Sequence, residues 1–177
     1  ESLNSEIYVD KTGLIEKTNE VLDTRQKFLC VSRPRRFGKS MAADMLAAYY
    51  ERGEDSAELF GTLKISKVES YEKNRNQYDI IKVNMQEFLS MTHSMDEMLS
   101  MLQKYLIFDL TDHFDNVRFR DENNLIQVMK DIYSKTKHSF VILIDEWDCL
   151  FREYQQDQEA QKKYLDFLRA WLKDKDY

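Results

Sequence analysis

Gly38, Lys39 and Ser40 follow one another at the boundary between an apolar run and a helix-forming segment. The first N–H groups of a helix have no carbonyl partner within it, so they can bind anionic oxygens. Glycine lets the backbone approach a phosphate, lysine reaches terminal phosphates, and a serine hydroxyl can coordinate magnesium. These residues therefore predict the phosphate-binding end of a Walker A loop.

The loop of residues 33–40 departs from the usual pattern at its start, where Arg33 and Pro34 replace the first glycine. Proline favours an extended residue before it and has no N–H, so the amides from Arg35 to Ser40 remain to form the phosphate cradle. Lys39 is also expected to act in catalysis. The predicted nucleotide-binding residues are Arg35, Arg36, Phe37, Gly38, Lys39, Ser40 and Met41.

An acidic pair, Asp145 and Glu146, ends the apolar run of residues 140–144. A buried strand that ends in an acid is typical of a Walker B motif, in which Asp145 would hold magnesium together with Ser40. The adjacent Glu146 is placed to orient or deprotonate an attacking water. The sequence therefore predicts a magnesium site at Ser40 and Asp145, and a catalytic role for Glu146.

Alternating strands and amphipathic helices would position these motifs. Five consecutive apolar residues in the last strand indicate burial on both faces, which is typical of a parallel sheet covered by helices. The expected fold class is therefore α/β, with three α/β/α layers and a mainly parallel sheet. The predicted strands cover residues 27–32, 79–85 and 139–144. The first predicted helix is capped by Asp10 or Thr12 and lies before residue 23, and the others cover residues 39–50, 94–106, 124–137 and 160–173.

Composition limits the function classes. The 177 residues are 42% hydrophobic and 33% charged, and no apolar run approaches the about 20 residues that a membrane-spanning helix needs. Without a secretion signal, and with Cys30 and Cys149 in or beside apolar runs, we expect a cytoplasmic protein with reduced, packed thiols. A net charge of −6 argues against nucleic-acid binding over the whole surface.

Three motifs in order resemble the predicted AAA-ATPase-like family of bacterial proteins: residues 8–12 (Tyr-Val-Asp-Lys-Thr), the loop of residues 33–40, and residues 144–148 (Ile-Asp-Glu-Trp-Asp). The similarity runs from about Ile7 to the end of the chain. In that family the arginine-proline-arginine-arginine loop is usual. Many members have tyrosine where Trp147 stands here, which leaves the catalytic roles intact. The resemblance implies a P-loop NTPase that uses ATP and Mg²⁺.

The resemblance also implies a strand order of 5-1-4-3-2, in which the fourth strand separates the strand before the phosphate loop from the strand that carries Asp145. Residues 1–177 would then form the amino-terminal part of a P-loop domain, an incomplete core without its fourth and fifth strands. Longer relatives often continue into a PD-(D/E)XK nuclease-like region. That region is a candidate partner within a longer chain.

The leading hypothesis is an ATP-binding, ATP-hydrolysing domain. One alternative is a non-catalytic nucleotide switch or scaffold, and another is a nucleic-acid-binding module that uses the arginine-rich loop. Arg35 and Arg36 could also reach a neighbouring subunit, so a homo-oligomer is a further candidate partner. The residues do not distinguish ATP from GTP. His93, His113 and His138 lack the spacing of metal ligands, so we expect structural or surface roles for them.

Overall fold

A computed structural model describes residues 10–22, 24, 27–31, 38–53, 55–173 and 177. The described residues mix helices with a small parallel sheet of two strands, β1 and β2, in agreement with the expected α/β class. In chain order the elements are α1 (Gly13–Val21), α2 (Lys39–Tyr50), α3 (Ala57–Phe60), a 3₁₀ turn (Lys64–Lys67), α4 (Ser70–Asn74), β1 (Asp79–Asn84), α5 (Met85–Ser90), α6 (Met95–His113), α7 (Leu125–Thr136), β2 (Phe140–Asp145), α8 (Cys149–Glu153) and α9 (Gln158–Leu172).

The chain divides into two compact units. The first unit comprises Glu1–Lys82 and Phe140–Asp145, and the second comprises Val83–Ser139 and Glu146–Tyr177. No helix among the described residues is long and apolar enough to cross a bilayer.

Aromatic side chains form much of the core of the first unit. The rings of Tyr49 and Tyr50, at the end of α2, meet edge to face with centroids 4.8 Å apart. Their hydroxyls are satisfied: Tyr50 donates to Oδ1 of Asn19 at 2.7 Å, and Tyr49 donates to the carbonyl of Tyr71 at 2.8 Å. Buried hydroxyls need such partners. These contacts hold the carboxyl end of α2 against α1 and α4.

The second unit is a helical assembly in which α6 packs against α7 and α9. Its helices begin where side chains accept the first backbone amides. Asn124 accepts from Gln127, and Asp157 accepts from Ala160. Ser94 caps α6 in the same way, since its hydroxyl accepts the amide of Glu97 at 3.2 Å. The fully buried side chains of this unit include Met98, Leu102, Val128, Met129, Ile132, Tyr164 and Trp171.

The strand predicted at residues 27–32 is wrong over its described part. Residues 27–31 form no strand, and Phe28, Leu29 and Val31 are 54%, 46% and 38% exposed. A strand is stabilised by the ladder of hydrogen bonds to a neighbour, and in the described part of the chain β2 pairs with β1 alone. For the same reason β2 is half-buried along its length rather than buried as predicted.

The two cysteines differ, although both were expected to be packed. Cys30 is exposed, whereas Cys149 is 1% exposed, and burial raises the pKa of the Cys149 thiol to about 11. Because the thiolate is the nucleophile, we expect an alkylating reagent at neutral pH to modify Cys30 and spare Cys149. Peptide mapping by mass spectrometry checks this, with labelling in denaturant as the control in which both must react. Equal labelling of both cysteines in the folded protein would contradict the burial of Cys149.

Candidate functional site

The start of α2 has the geometry of an anion-binding terminus. Gly38 has φ 74° and ψ 37°, a left-handed conformation that glycine adopts without steric cost. The first helical hydrogen bond joins the amide of Ala42 to the carbonyl of Gly38 at 3.0 Å. The amides of Lys39, Ser40 and Met41 therefore have no partner within the helix. The first turn carries no acidic side chain, so nothing in it opposes an anion.

The two predicted magnesium ligands come together in the first unit. Oγ of Ser40 donates to Oδ2 of Asp145 at 2.6 Å, across 105 residues of sequence. The contact forms because α2 packs against β2, and Asp145 is the last residue of β2. A carboxylate and a hydroxyl oxygen are both ligands that magnesium accepts. Sequence reasoning paired these residues from their motifs, and the fold places them in direct contact.

Lys39 opens α2 and is half-buried. Within the described part of the chain, its ammonium makes no ion pair with a carboxylate. Met41 follows in the same turn and is exposed. The predicted residues Arg35, Arg36 and Phe37 lie outside the described residues. Of the predicted binding residues, the structure therefore describes Gly38, Lys39, Ser40 and Met41, all at the amino end of one helix.

Glu146 directly follows Asp145 and belongs to the second unit. Its φ of 51° is left-handed, which is uncommon for a residue with a side chain. Oε2 of Glu146 accepts from Nη2 of Arg152 at 2.7 Å, and Nη1 of the same guanidinium donates to Oδ2 of Asp148 at 2.9 Å. Strained backbone recurs at functional sites. Arg152 thus fixes the direction of the Glu146 carboxylate.

Sequence reasoning missed Arg152. The available signal was spacing, since Asp148 and Arg152 stand four residues apart, the separation at which side chains meet on a helix. No group of three or more histidine, cysteine, aspartate or glutamate side chains in the described ranges could hold a metal ion. A cation held by Ser40 and Asp145 would therefore need further ligands from a nucleotide or from water.

The chain belongs to the AAA-ATPase-like family, described as predicted AAA-ATPase, whose family model matches residues 3–175. No curated protein matches the chain, and no solved structure does. Membership agrees with the resemblance found in the sequence, and it indicates a function that involves ATP.

Proposed function

We propose that this chain binds Mg-ATP at the start of α2 and hydrolyses it. The observation that carries the proposal is the Ser40–Asp145 hydrogen bond, because it joins the two side chains that were predicted to share a magnesium ion. Family membership supports ATP as the nucleotide. The left-handed turn at Gly38 and the following amides, which have no partner within α2, support phosphate binding.

Each residue then has a defined task. Lys39 and the amides from Arg35 to Ser40 bind the phosphates, and the single positive charge of Lys39 offsets part of their negative charge. Ser40 and Asp145 hold the magnesium ion, which supplies electrophilic charge at the phosphate oxygens. Glu146 accepts a proton from the attacking water or orients it.

The P-loop NTPase fold, with three layers and a mainly parallel sheet, remains part of this proposal. It is supported by the pairing of β1 with β2. These strands correspond to the second and third predicted strands, which are also neighbours in the order 5-1-4-3-2. The predicted strand before the phosphate loop does not add support, because residues 27–31 are not in a sheet.

The ion pair of Glu146 with Arg152 favours a second candidate, a nucleotide-binding switch with negligible turnover. A carboxylate oxygen that accepts from a guanidinium is less available to orient an attacking water. The switch and the hydrolase share the same binding site. They differ in whether Glu146 is required for turnover.

Calorimetric titration with Mg-ATP tests the binding site. We expect Lys39→Ala to weaken binding at least about tenfold, because a charge-assisted hydrogen bond contributes about 1.5–3 kcal/mol. Lys17→Ala is the matched control, since Lys17 is exposed on α1 and pairs with Glu20. Competition with GTP reports the base preference. Absence of Mg-ATP binding by the parent chain, or equal affinities for parent and Lys39→Ala, would refute the proposal.

A further inference from the structure

The segment Asp10-Lys11-Thr12 is fixed to the 3₁₀ turn by the side chains on either side of the lysine. Oδ1 of Asp10 accepts from the amide of Thr12 at 2.9 Å and from its hydroxyl at 2.6 Å. Oδ2 of Asp10 accepts from the amide of Lys64 at 2.9 Å, and Oγ1 of Thr12 accepts from the amide of Ile65 at 3.2 Å. Thr12 is fully buried. These four hydrogen bonds clamp the segment in place.

The ionised form of Asp10 supports this clamp. Burial raises the pKa of Asp10, but hydrogen bonds from the Thr12 hydroxyl and from the Lys64 and Thr12 amides outweigh burial and hold the pKa below its usual value. A carboxylate accepts hydrogen bonds at both oxygens, which three donors require. The clamp is therefore fully present above the pKa that Asp10 has in the unfolded chain. It weakens as pH falls through the lower pKa that Asp10 has in the folded chain.

Lys11, between the two clamped residues, reaches the phosphate loop. Its Nζ lies 3.0 Å from the position that a Cβ would occupy on Gly38. The ammonium can lie this close because Gly38 has no side chain. Gly38 immediately precedes Lys39, so the amine of Lys11 lies beside the backbone that begins α2. Asp10 and Thr12 have structural tasks, whereas this position brings Lys11 to the proposed site.

We propose that Lys11 is a second phosphate-binding lysine, whose ammonium donates to the phosphate oxygens of a nucleotide bound at the start of α2. This inference rests on the proposed function. An ammonium is a compact charge with three donors, suited to phosphate oxygens that lack a fixed planar geometry. Because the clamp fixes the backbone of Lys11, less conformational entropy is lost on binding than from a mobile loop.

The test compares Lys11→Ala, Lys11→Arg, Lys39→Ala and the control Lys17→Ala in Mg-ATP titrations of the whole chain. We expect Lys11→Ala to weaken Mg-ATP binding at least about tenfold and Lys17→Ala to stay within about twofold, since loss of a charge-assisted contact is expected only at Lys11. Lys11→Arg keeps the charge and should retain most of the affinity.

Thermal unfolding without nucleotide separates binding from a structural role. The four clamp bonds involve no atom of the Lys11 side chain, so Lys11→Ala keeps all four and should gain less stabilisation from added Mg-ATP than the parent chain does. If Lys11→Ala binds Mg-ATP as tightly as the parent chain while Lys39→Ala binds it more weakly, the role of Lys11 is overturned and the proposed function stands. A lower unfolding temperature that Lys11→Arg fails to restore would also overturn it. Absence of Mg-ATP binding by the parent chain would overturn the proposed function, and the role of Lys11 with it.

Discussion

Glu146→Gln is expected to lower ATP turnover by about a hundredfold to ten-thousandfold while Mg-ATP affinity stays close to that of the parent chain. Glutamine preserves the size of the side chain and still accepts a hydrogen bond, but it cannot take up a proton from water at neutral pH. In the proposed site, Lys39, Ser40 and Asp145 bind the nucleotide and its magnesium ion, and the substitution leaves these residues unchanged. The loss should therefore fall on kcat.

Steady-state phosphate release and calorimetry on the same samples check this result. Glu153→Gln is the matched control, because Glu153 is exposed at the end of α8 and should leave both quantities unchanged. Parent-level turnover in Glu146→Gln would remove Glu146 from the mechanism. If the parent chain itself binds Mg-ATP without turnover, the switch becomes the better description.

Trp171→Ala is expected to lower the free energy of unfolding of the second unit by about 3–5 kcal/mol, the usual range when a buried aromatic side chain is truncated. Trp171 is 0% exposed on α9, and its ring centroid lies 5.6 Å from that of Phe167. Its Nε1 donates to the sulfur of Met129 at 3.2 Å, which ties α9 to α7. Alanine would leave a cavity where these contacts were.

Urea denaturation followed by circular dichroism checks this value. Phe108→Ala is the control, since Phe108 is 69% exposed on α6 and its removal should cost no more than about 0.5 kcal/mol. Equal losses in the two variants would mean that α9 does not pack as described.

Local signals made the longer helices predictable, whereas the short helices α3, α4, α5 and α8 were not predicted. The predicted helix at residues 39–50 matches α2 residue for residue, and the helix predicted at residues 124–137 matches α7 within one residue at each end. In α7 the apolar residues recur at helical spacing, and Asn124 caps the first turn. Apolar spacing and capping both depend on residues only a few positions apart, so they can be recognised without knowledge of the rest of the chain.

Non-local features were harder to predict. The run at residues 27–31 has the composition of a strand, but a strand also requires a neighbour, and composition does not reveal one. The approach of Lys11 to Gly38 depends on the clamp between Asp10 and the 3₁₀ turn, more than fifty residues further along the chain. A contact between residues so far apart in the chain cannot be predicted from the spacing of residue types.

The candidate site was partly predictable for a different reason. Ser40 and Asp145 were paired because they match the Walker A and Walker B positions, and the fold places their side-chain oxygens 2.6 Å apart. The assignments of Arg35, Arg36 and Phe37 to phosphate binding stay predictions, since these residues lie outside the described part of the chain. The task of Glu146 also stays a prediction. Its left-handed backbone and its partner Arg152 could not be read from the motif.

The exposed run at residues 27–31 has a consequence for the colloidal behaviour of the chain. Phe28, Leu29 and Val31 favour aggregation, because an exposed apolar segment outside a sheet can pair its backbone amides and carbonyls with the same segment of another molecule. Lys27, whose ammonium lies 5.9 Å from the Phe28 ring centroid, places a positive charge at the start of this apolar run. Such flanking charges oppose the association of apolar segments. The net charge of −6 adds repulsion between molecules, which salt screens. Low ionic strength is therefore the condition that best keeps the protein dispersed.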